Sequence, residues 1–398
     1  MVPSEPHDPS DVSAEIRRLR GLTGVKWTRY PADVLPCWVA DMDLPTAPAV
    51  TDALRELVER GDFGYNFAAH AALPEVFSGW MAERHGWRPD PAHVRVFCDV
   101  LQAVDVALWL GTEPGDGVVL FTPVYPPFFR CIAGIGRRVV DCPLDPVGSR
   151  IERDALDEAI ERAAAEGIRT RAVLLCSPHN PTGRVFGPHE IAAVAEVAAA
   201  RDLLVISDEI WADVVFSERT HVPFAAFPGM RPDRIVTVAA ASKAFNLAGL
   251  RCAVAHIGDE RLEAQIAELP DHLLGGVSTP GAVATLAAWT EGGPWLAETV
   301  AFLEAQRHHL MARLEAELPR VRWAPPQATY LAWLDFRACD LGDDPATWLL
   351  ERAKVALGAG PDFGEHGADW ARLNFATTRA VLDEAIDRIV AAVVAAGC

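Results

Sequence analysis

No run of about 18 apolar residues, the length a membrane span needs, occurs in this 398-residue chain. The opening segment MVPSEPHDPSDVSAEIRRLR contains no apolar core of the kind that directs export. Membrane insertion and secretion are therefore not expected, and a cytoplasmic protein is. Basic residues are outnumbered, 36 Lys and Arg against 55 Asp and Glu, which gives a formal charge of -19. That balance argues against nucleic acid or an anionic membrane as partner, since both need clustered cations facing phosphates. An anionic small substrate would need a local basic pocket. Cysteine is thinly spread over Cys37, Cys98, Cys131, Cys142, Cys176, Cys252, Cys339 and Cys398, with no C-x-x-C pair and no histidine cluster at zinc spacing. No metal site is expected, and the thiols read mostly as reduced.

What the chain does have is apolar residue, 50% of the total, enough for large cores and two domains. Residues 1 to about 12, rich in Pro, Ser and Asp, read as a mobile arm. From about residue 46 to 280, short apolar runs alternate with helix-period segments. The strand candidates are 94–98, 117–121, 137–142, 172–176, 203–207, 235–239 and 252–257. Amphipathic stretches such as RDALDEAIERAAAEG and PHEIAAVAEVAAARD lie between them. This alternation predicts an α/β fold of three αβα layers around a mostly parallel seven-stranded sheet. After Pro280 the pattern turns to long helical runs with strand-like pieces TYLAWLDF and ARLNFA and a closing helix. The predicted division is a large domain over 46–280 and a smaller α+β domain built from 1–45 and 281–398.

Ligands of parallel sheets sit at the carboxyl ends of the strands, and the unusual residues gather there. SPHNPTG follows the strand at 172–176, where Pro and Gly specify a tight turn that could present the Asn180 amide or be a plain turn. SDEIW follows 203–207, where Asp208 and Glu209 could cap a helix or face a ligand. Lys243, in AAASKAFNLAGLR, follows 235–239, and Arg251 comes shortly after it. A lysine at the end of a buried strand loses hydration that its ammonium form needs. Three adjacent strands thus end in an amide, a carboxylate and an amine.

This set, over nearly the whole chain, resembles the fold-type I pyridoxal phosphate enzymes, in particular aminotransferase classes I and II. The resemblance implies pyridoxal 5'-phosphate as cofactor, joined covalently to Lys243, with Asp208 on the ring nitrogen and Asn180 on the ring 3'-oxygen. It implies a phosphate site made by Arg251, Ser242 and the backbone amides of Val100 and Leu101, and Tyr125 stacked on the ring. Tyr65 would reach the phosphate of a neighbouring subunit, which implies a homodimer with shared active sites. Arg372, in WARLNFATTR, would hold the substrate α-carboxylate through its planar guanidinium. Two positions depart from the family pattern: Ala240 where a serine is frequent, and Trp211, near the 3'-oxygen, where Tyr or His is usual.

The segment KWTRYPADVLPCWVADMDLPTAP, residues 26–48, reads from its residues as an extended aromatic-rich loop able to line a cleft. It resembles the opening of the MalY/PatB-type cystathionine β-lyases, with Trp38 to Asp43 matching their signature, and PQATYLAWLDF resembles the strand that lines their active site. Ala40 and Tyr330 are thereby implied as substrate contacts. The expected function is a carbon–sulfur β-lyase cleaving cystathionine or related cysteine S-conjugates to thiol, pyruvate and ammonia. A class I/II aminotransferase is the alternative within the family, and a regulatory partner-binding protein the alternative outside it.

Overall fold

A computed structural model describes residues 12–145 and 148–398. The expected mobile arm lies, but for Val12, outside the described residues. The core is a seven-stranded sheet of β1 (Val94–Phe97), β2 (Gly117–Thr122), β3 (Arg138–Pro143), β4 (Thr170–Cys176), β5 (Leu204–Asp208), β6 (Ile235–Ala239) and β7 (Ala253–Ile257). Its spatial order is β1-β7-β6-β5-β4-β2-β3. All seven coincide with the strands expected from the sequence to within two residues at either end. β7 runs antiparallel to both its neighbours, and every other pairing is parallel.

Continuous apolar runs form these strands because both faces of the sheet are covered. Alternate residues of a strand point to opposite faces, and two separate cores result. Val118, Leu120, Ala172, Leu174, Leu204 and Ile206 pack with the helix α3 (Val100–Gly111). Val119, Phe121, Val173, Leu175 and Val205 pack on the other face with Leu156, Ile160, Val194 and Val197, from helices Arg153–Ala165 and Pro188–Ala200. Each fully buried Val or Leu is worth roughly 1.5–3 kcal/mol, so the strand ends are set on a stiff frame.

A third core joins the remaining elements. The helices α1 (Pro48–Arg60) and α2 (Phe67–His85) pack on α4 (Thr279–Glu291), and α5 (Gly293–Glu317) packs on α6 (Arg379–Ala395). Beside them lies a three-stranded antiparallel sheet in which β10 (Trp370–Asn374) sits between β8 (Leu331–Asp335) and β9 (Gly358–Ala359). The expected strands TYLAWLDF and ARLNFA are β8 and β10. Phe77, Trp80, Trp211, Leu303, Leu331, Leu373 and Ile386 belong to one continuous apolar cluster, so the second half of the chain is packed onto the large sheet.

Most of the cysteines are free thiols, with one pair excepted. Cys339 and Cys398 form a disulfide across 59 residues of sequence, and the other six cysteines are free. The last residue of the chain folds back beside the turn after β8, a proximity that no local spacing announces.

The segment 34–43 runs from the small elements to the large sheet. Leu35–Pro36 pairs in parallel with Val355–Ala356. Further on, Asp43 is buried and accepts from Lys26 Nζ (2.8 Å) and Trp27 Nε1 (2.7 Å), while Lys26 also donates to the Asp41 carbonyl (2.9 Å). Both charges of this pair are almost fully enclosed. Removing one partner from such a pair leaves the other charge without compensation. Lys26→Met should therefore lower stability by about 3–5 kcal/mol, read as a drop in the urea midpoint; an unchanged midpoint would show that Trp27 alone satisfies Asp43.

Candidate active site

The ends of β4, β5 and β6 are in register, with Cys176 opposite Asp208 and Asp208 opposite Val238. Chain leaving these three ends, together with the start of α3, encloses a cavity of about 190 Å³. Val100, Leu101, Tyr125, Asn180, Asp208, Trp211, Ser242, Lys243, Arg251, Arg372 and Ala40 all line it. Tyr65 and Tyr330 do not.

The N-P-T-G turn after β4 is dictated by close approach. Gly183 has φ of +67°, and a Cβ there would overlap Pro326. Its N–H donates to His179 O (2.7 Å), and its carbonyl accepts from Gln327 N (2.8 Å) and Ala328 N (2.9 Å). Only glycine fits both the left-handed backbone and the contact. Asn180 is thereby fixed at the cavity wall, where its Oδ1 accepts from Arg372 Nη1 at 2.9 Å.

The acidic pair after β5 divides its work by side-chain direction. Glu209 turns inward to a packed polar group: its carboxylate accepts from Ser207 Oγ (2.9 Å) and Phe224 N (2.8 Å) and contacts His221 Nε2 (3.0 Å). Asp208 faces the cavity, 3% exposed, and accepts from Ile210 N at 3.1 Å. Among the described residues Asp208 makes no ion pair. Burial, opposed by the Ile210 hydrogen bond, pushes its pKa from 3.8 up to about 7.

Lys243 is held by one acceptor. Its Nζ donates to the Ala40 carbonyl at 3.0 Å and lies 6.0 Å from the Trp211 ring centre. Loss of water lowers the amine pKa from 10.5, with the Asp41 and Asp208 carboxylates opposing the shift and Arg372 reinforcing it. A lowered pKa leaves more of the amine unprotonated and able to act as nucleophile or base.

Arg372 comes from β10 and is 7% exposed. Besides Asn180, it donates through Nη2 to the Trp38 carbonyl (2.8 Å), and its guanidinium lies 4.9 Å from the Phe363 ring centre. Its Nε is buried with no partner, and burial brings its pKa down to about 10. A buried guanidinium on a cavity wall suits an anion such as a carboxylate.

At the opposite end, α3 begins with Asp99, whose side chain accepts from Gln102 N at 2.7 Å. The N–H groups of Val100 and Leu101 belong to the first turn and have no intrahelical acceptor. Ser242 and Arg251 complete this end of the cavity. Arg251 adopts φ of +56° and forms an ion pair with Asp99. Helix-start amides, a hydroxyl and a guanidinium form a donor set for a phosphate, while Asp208 and Lys243 supply a carboxyl and an amine to the same cavity. The residues present therefore fit pyridoxal 5'-phosphate and an amino acid.

One expected residue sits elsewhere. Tyr330, expected to contact substrate, is fully buried behind the cavity wall; its hydroxyl donates to the Ala40 carbonyl at 3.1 Å, and its ring stands edge-on to Trp211, 4.8 Å between centres. Tyr65 is almost completely exposed and stacks on Phe67. Tyr125 meets Phe128 edge-on at the cavity rim.

Three residues with a part in the site were not singled out from the sequence. Asn246 clamps Met42 by accepting from its N–H (3.0 Å) and donating to its carbonyl (2.9 Å). Asn374 donates to the carbonyls of Val39 (2.6 Å) and Asp41 (2.7 Å). Asp99 both caps α3 and pairs with Arg251. The signal for the two asparagines was an amide inside an otherwise apolar run, AFNLAG and RLNFA.

The raised pKa of Asp208 has a measurable sign. Between 3.8 and about 7 the folded, ligand-free chain holds a proton there that the unfolded chain has released. Its contribution to stability therefore falls as pH rises through that window and stays low above it. In the ligand-free protein Asp208→Asn should raise the urea midpoint at pH 8 and leave it nearly unchanged at pH 4; equal effects at both would mean the carboxyl is not raised.

Comparison with known proteins agrees with this geometry. The chain matches the family described as aminotransferase class I and II over residues 39–389. Cystathionine beta-lyase PatB of Bacillus subtilis is 36% identical over 383 residues, covering 94% of this chain and 97% of that protein. The cystathionine beta-lyase of Corynebacterium glutamicum is 35% identical over 376 residues, covering 94% and 98%. Among solved structures, the PLP-bound C-S lyase from Staphylococcus hominis superposes with a TM-score of 0.85 at 28% identity, over 94% of this chain and 97% of that one. With the match spanning both the sheet that carries Lys243 and the strand that carries Arg372, this chain belongs to the aminotransferase class I and II family.

Proposed function

We propose that the chain is a pyridoxal 5'-phosphate-dependent carbon–sulfur β-lyase that cleaves cystathionine or a related cysteine S-conjugate to a thiol, pyruvate and ammonia, consuming one water. The observation that carries the reading is the company Lys243 keeps: a desolvated amine, a buried carboxyl without an ion partner among the described residues, and a buried guanidinium line one cavity. The wider relatives share this reading, since those 35–36% identical over most of the chain carry the name cystathionine beta-lyase.

When bound, the cofactor supplies an electron-withdrawing ring that stabilises negative charge on the substrate α-carbon. The chain's own residues do the rest. Lys243 anchors the cofactor and, once released, takes the α-proton on Nζ. Asp208 holds the ring nitrogen protonated, a role that a cation beside it would favour by restoring the ionised carboxylate. Asn180 binds the ring oxygen while tying Arg372 in place. Val100, Leu101, Ser242 and Arg251 bind the phosphate, Tyr125 packs on the ring, and Trp211 offers one N–H and no titratable group. Arg372 binds the substrate α-carboxylate, and Ala40 forms the wall beside it.

The reading extends to organisation. The chain divides into a large domain over 46–280 and a smaller one from 1–45 with 281–398, and it acts as a cytoplasmic homodimer. Supporting the dimer, Val58, Phe63, Tyr65 and Phe67 expose apolar surface close together in sequence, which a second copy would cover. No described helix is long and apolar enough to cross a membrane.

The family description leaves transamination as the competing outcome, and one assay separates the two. The purified holoenzyme given cystathionine without any keto acid should release pyruvate and free thiol in equal amounts. Turnover only when an acceptor keto acid is added would make it an aminotransferase and overturn the lyase reading.

A further inference from the structure

The amine of Lys243 and the hydroxyl of Tyr330 converge on a single backbone oxygen. Nζ donates to the Ala40 carbonyl at 3.0 Å and Tyr330 Oη donates to the same atom at 3.1 Å. That oxygen sits on a segment with little freedom. Asn374 Nδ2 ties the carbonyls on either side of it, Val39 and Asp41, and Arg372 ties the carbonyl of Trp38. Tyr330 is equally fixed: its carbonyl accepts from Phe375 N at 3.0 Å, and its ring packs on Trp211, the indole that also lies near Nζ. Phenylalanine would fill this enclosed place as well, so the hydroxyl is there for what it donates to.

A carbonyl oxygen has two lone pairs, a neutral amine two N–H donors and one lone pair, and an ammonium three N–H donors. With the Tyr330 hydroxyl on one lone pair, Ala40 has one left for the lysine. The neutral amine is satisfied by that single bond and keeps its own lone pair for the cavity. The ammonium, which gains most from a second acceptor position, is denied it. Hydrogen bonding to a charged form favours that form, so withholding it works in the same direction as burial.

We propose that Tyr330 is a positioning residue for Lys243, acting through the Ala40 carbonyl to fix where the amine stands and to keep it unprotonated until it receives the substrate α-proton. The inference deepens the lyase reading and rests on Lys243 being the group that carries this proton. The charged groups facing the amine are Asp41 and Asp208, which favour the ammonium, and Arg372, which opposes it. None of them bonds the Tyr330 hydroxyl, so a change there leaves them in place.

The test compares the unaltered protein with Tyr330→Phe and with 3-fluorotyrosine placed at position 330, a stronger donor of unchanged fold. Two readouts are taken. The first, on cofactor-free protein, is the pH dependence of Lys243 acetylation by acetic anhydride, followed by peptide mass spectrometry. The chain has three lysines, Lys26, Lys243 and Lys354, and the exposed Lys354 serves as internal reference. The apparent pKa of Lys243 should rise in Tyr330→Phe and fall with 3-fluorotyrosine. The second readout, on holoenzyme, is kcat and KM against pH. In Tyr330→Phe kcat should fall roughly fivefold, the worth of one neutral hydrogen bond, with the acid limb displaced to higher pH and KM unmoved. The same Lys243 pKa in all three proteins, or a KM change matching that in kcat, would overturn the proposal. If the unaltered enzyme has no lyase turnover, the proposed function fails, while the acetylation comparison still decides whether Tyr330 controls the amine.

Discussion

Lys243 gives up water to enter the cavity, and one hydrogen bond to the Ala40 carbonyl at 3.0 Å is what it receives in return. That imbalance is the constraint on which the rest of the site depends. Desolvation favours the neutral amine, and a neutral amine is what the proposed chemistry needs, both to bond the cofactor and to accept a proton. The sheet makes the arrangement possible. β6 is covered on both faces and is hydrogen-bonded on both sides, by β5 and β7. Its end is thereby held in place beside the cavity.

The same logic governs two other charged groups on the cavity wall, both buried. Asp208 and Arg372 are enclosed, and burial pushes each toward its neutral form, the carboxyl up to about 7 and the guanidinium down to about 10. Both are therefore under-compensated without a ligand. A positively charged ring nitrogen beside Asp208 and a carboxylate beside Arg372 would each restore the ionised form, so binding energy is directed at the two ends of the reacting molecule. The strap over residues 38–43 links these sites physically: its carbonyls accept from Arg372, Asn374, Lys243, Tyr330 and Lys26 in turn. With Asn246, which donates to the Met42 carbonyl, six side chains from four parts of the sequence meet one short run of backbone.

Much of this was legible in the sequence because its signals were local. Seven apolar runs marked the seven strands, and N-P-x-G, D-E and S-K marked the ends that carry Asn180, Asp208 and Lys243. The amides of Val100 and Leu101 came only from the family resemblance. What was not legible depended on distant segments meeting. Tyr330 reads as a substrate contact from its strand, yet it lies behind Ala40, 290 residues away in sequence, because the strap covers it. Asn246 and Asn374 look like ordinary polar residues until the strap passes between them. The Cys339–Cys398 disulfide depends on where the last helix ends. The division of labour between Asp208 and Glu209 was undecidable from an acidic pair alone; it follows from His221 and Phe224 lying on the inner side of β5.

On the proposed reading, the amine at the end of β6 bonds the cofactor. Borohydride reduction of the holoenzyme fixes the cofactor to whichever lysine carries it, and proteolysis with mass spectrometry then reads the position. The reduced cofactor is expected on the peptide containing Lys243, with Lys26 and Lys354 unmodified. Label on either of those lysines, or a protein that takes up no label when the cofactor is supplied, would contradict it.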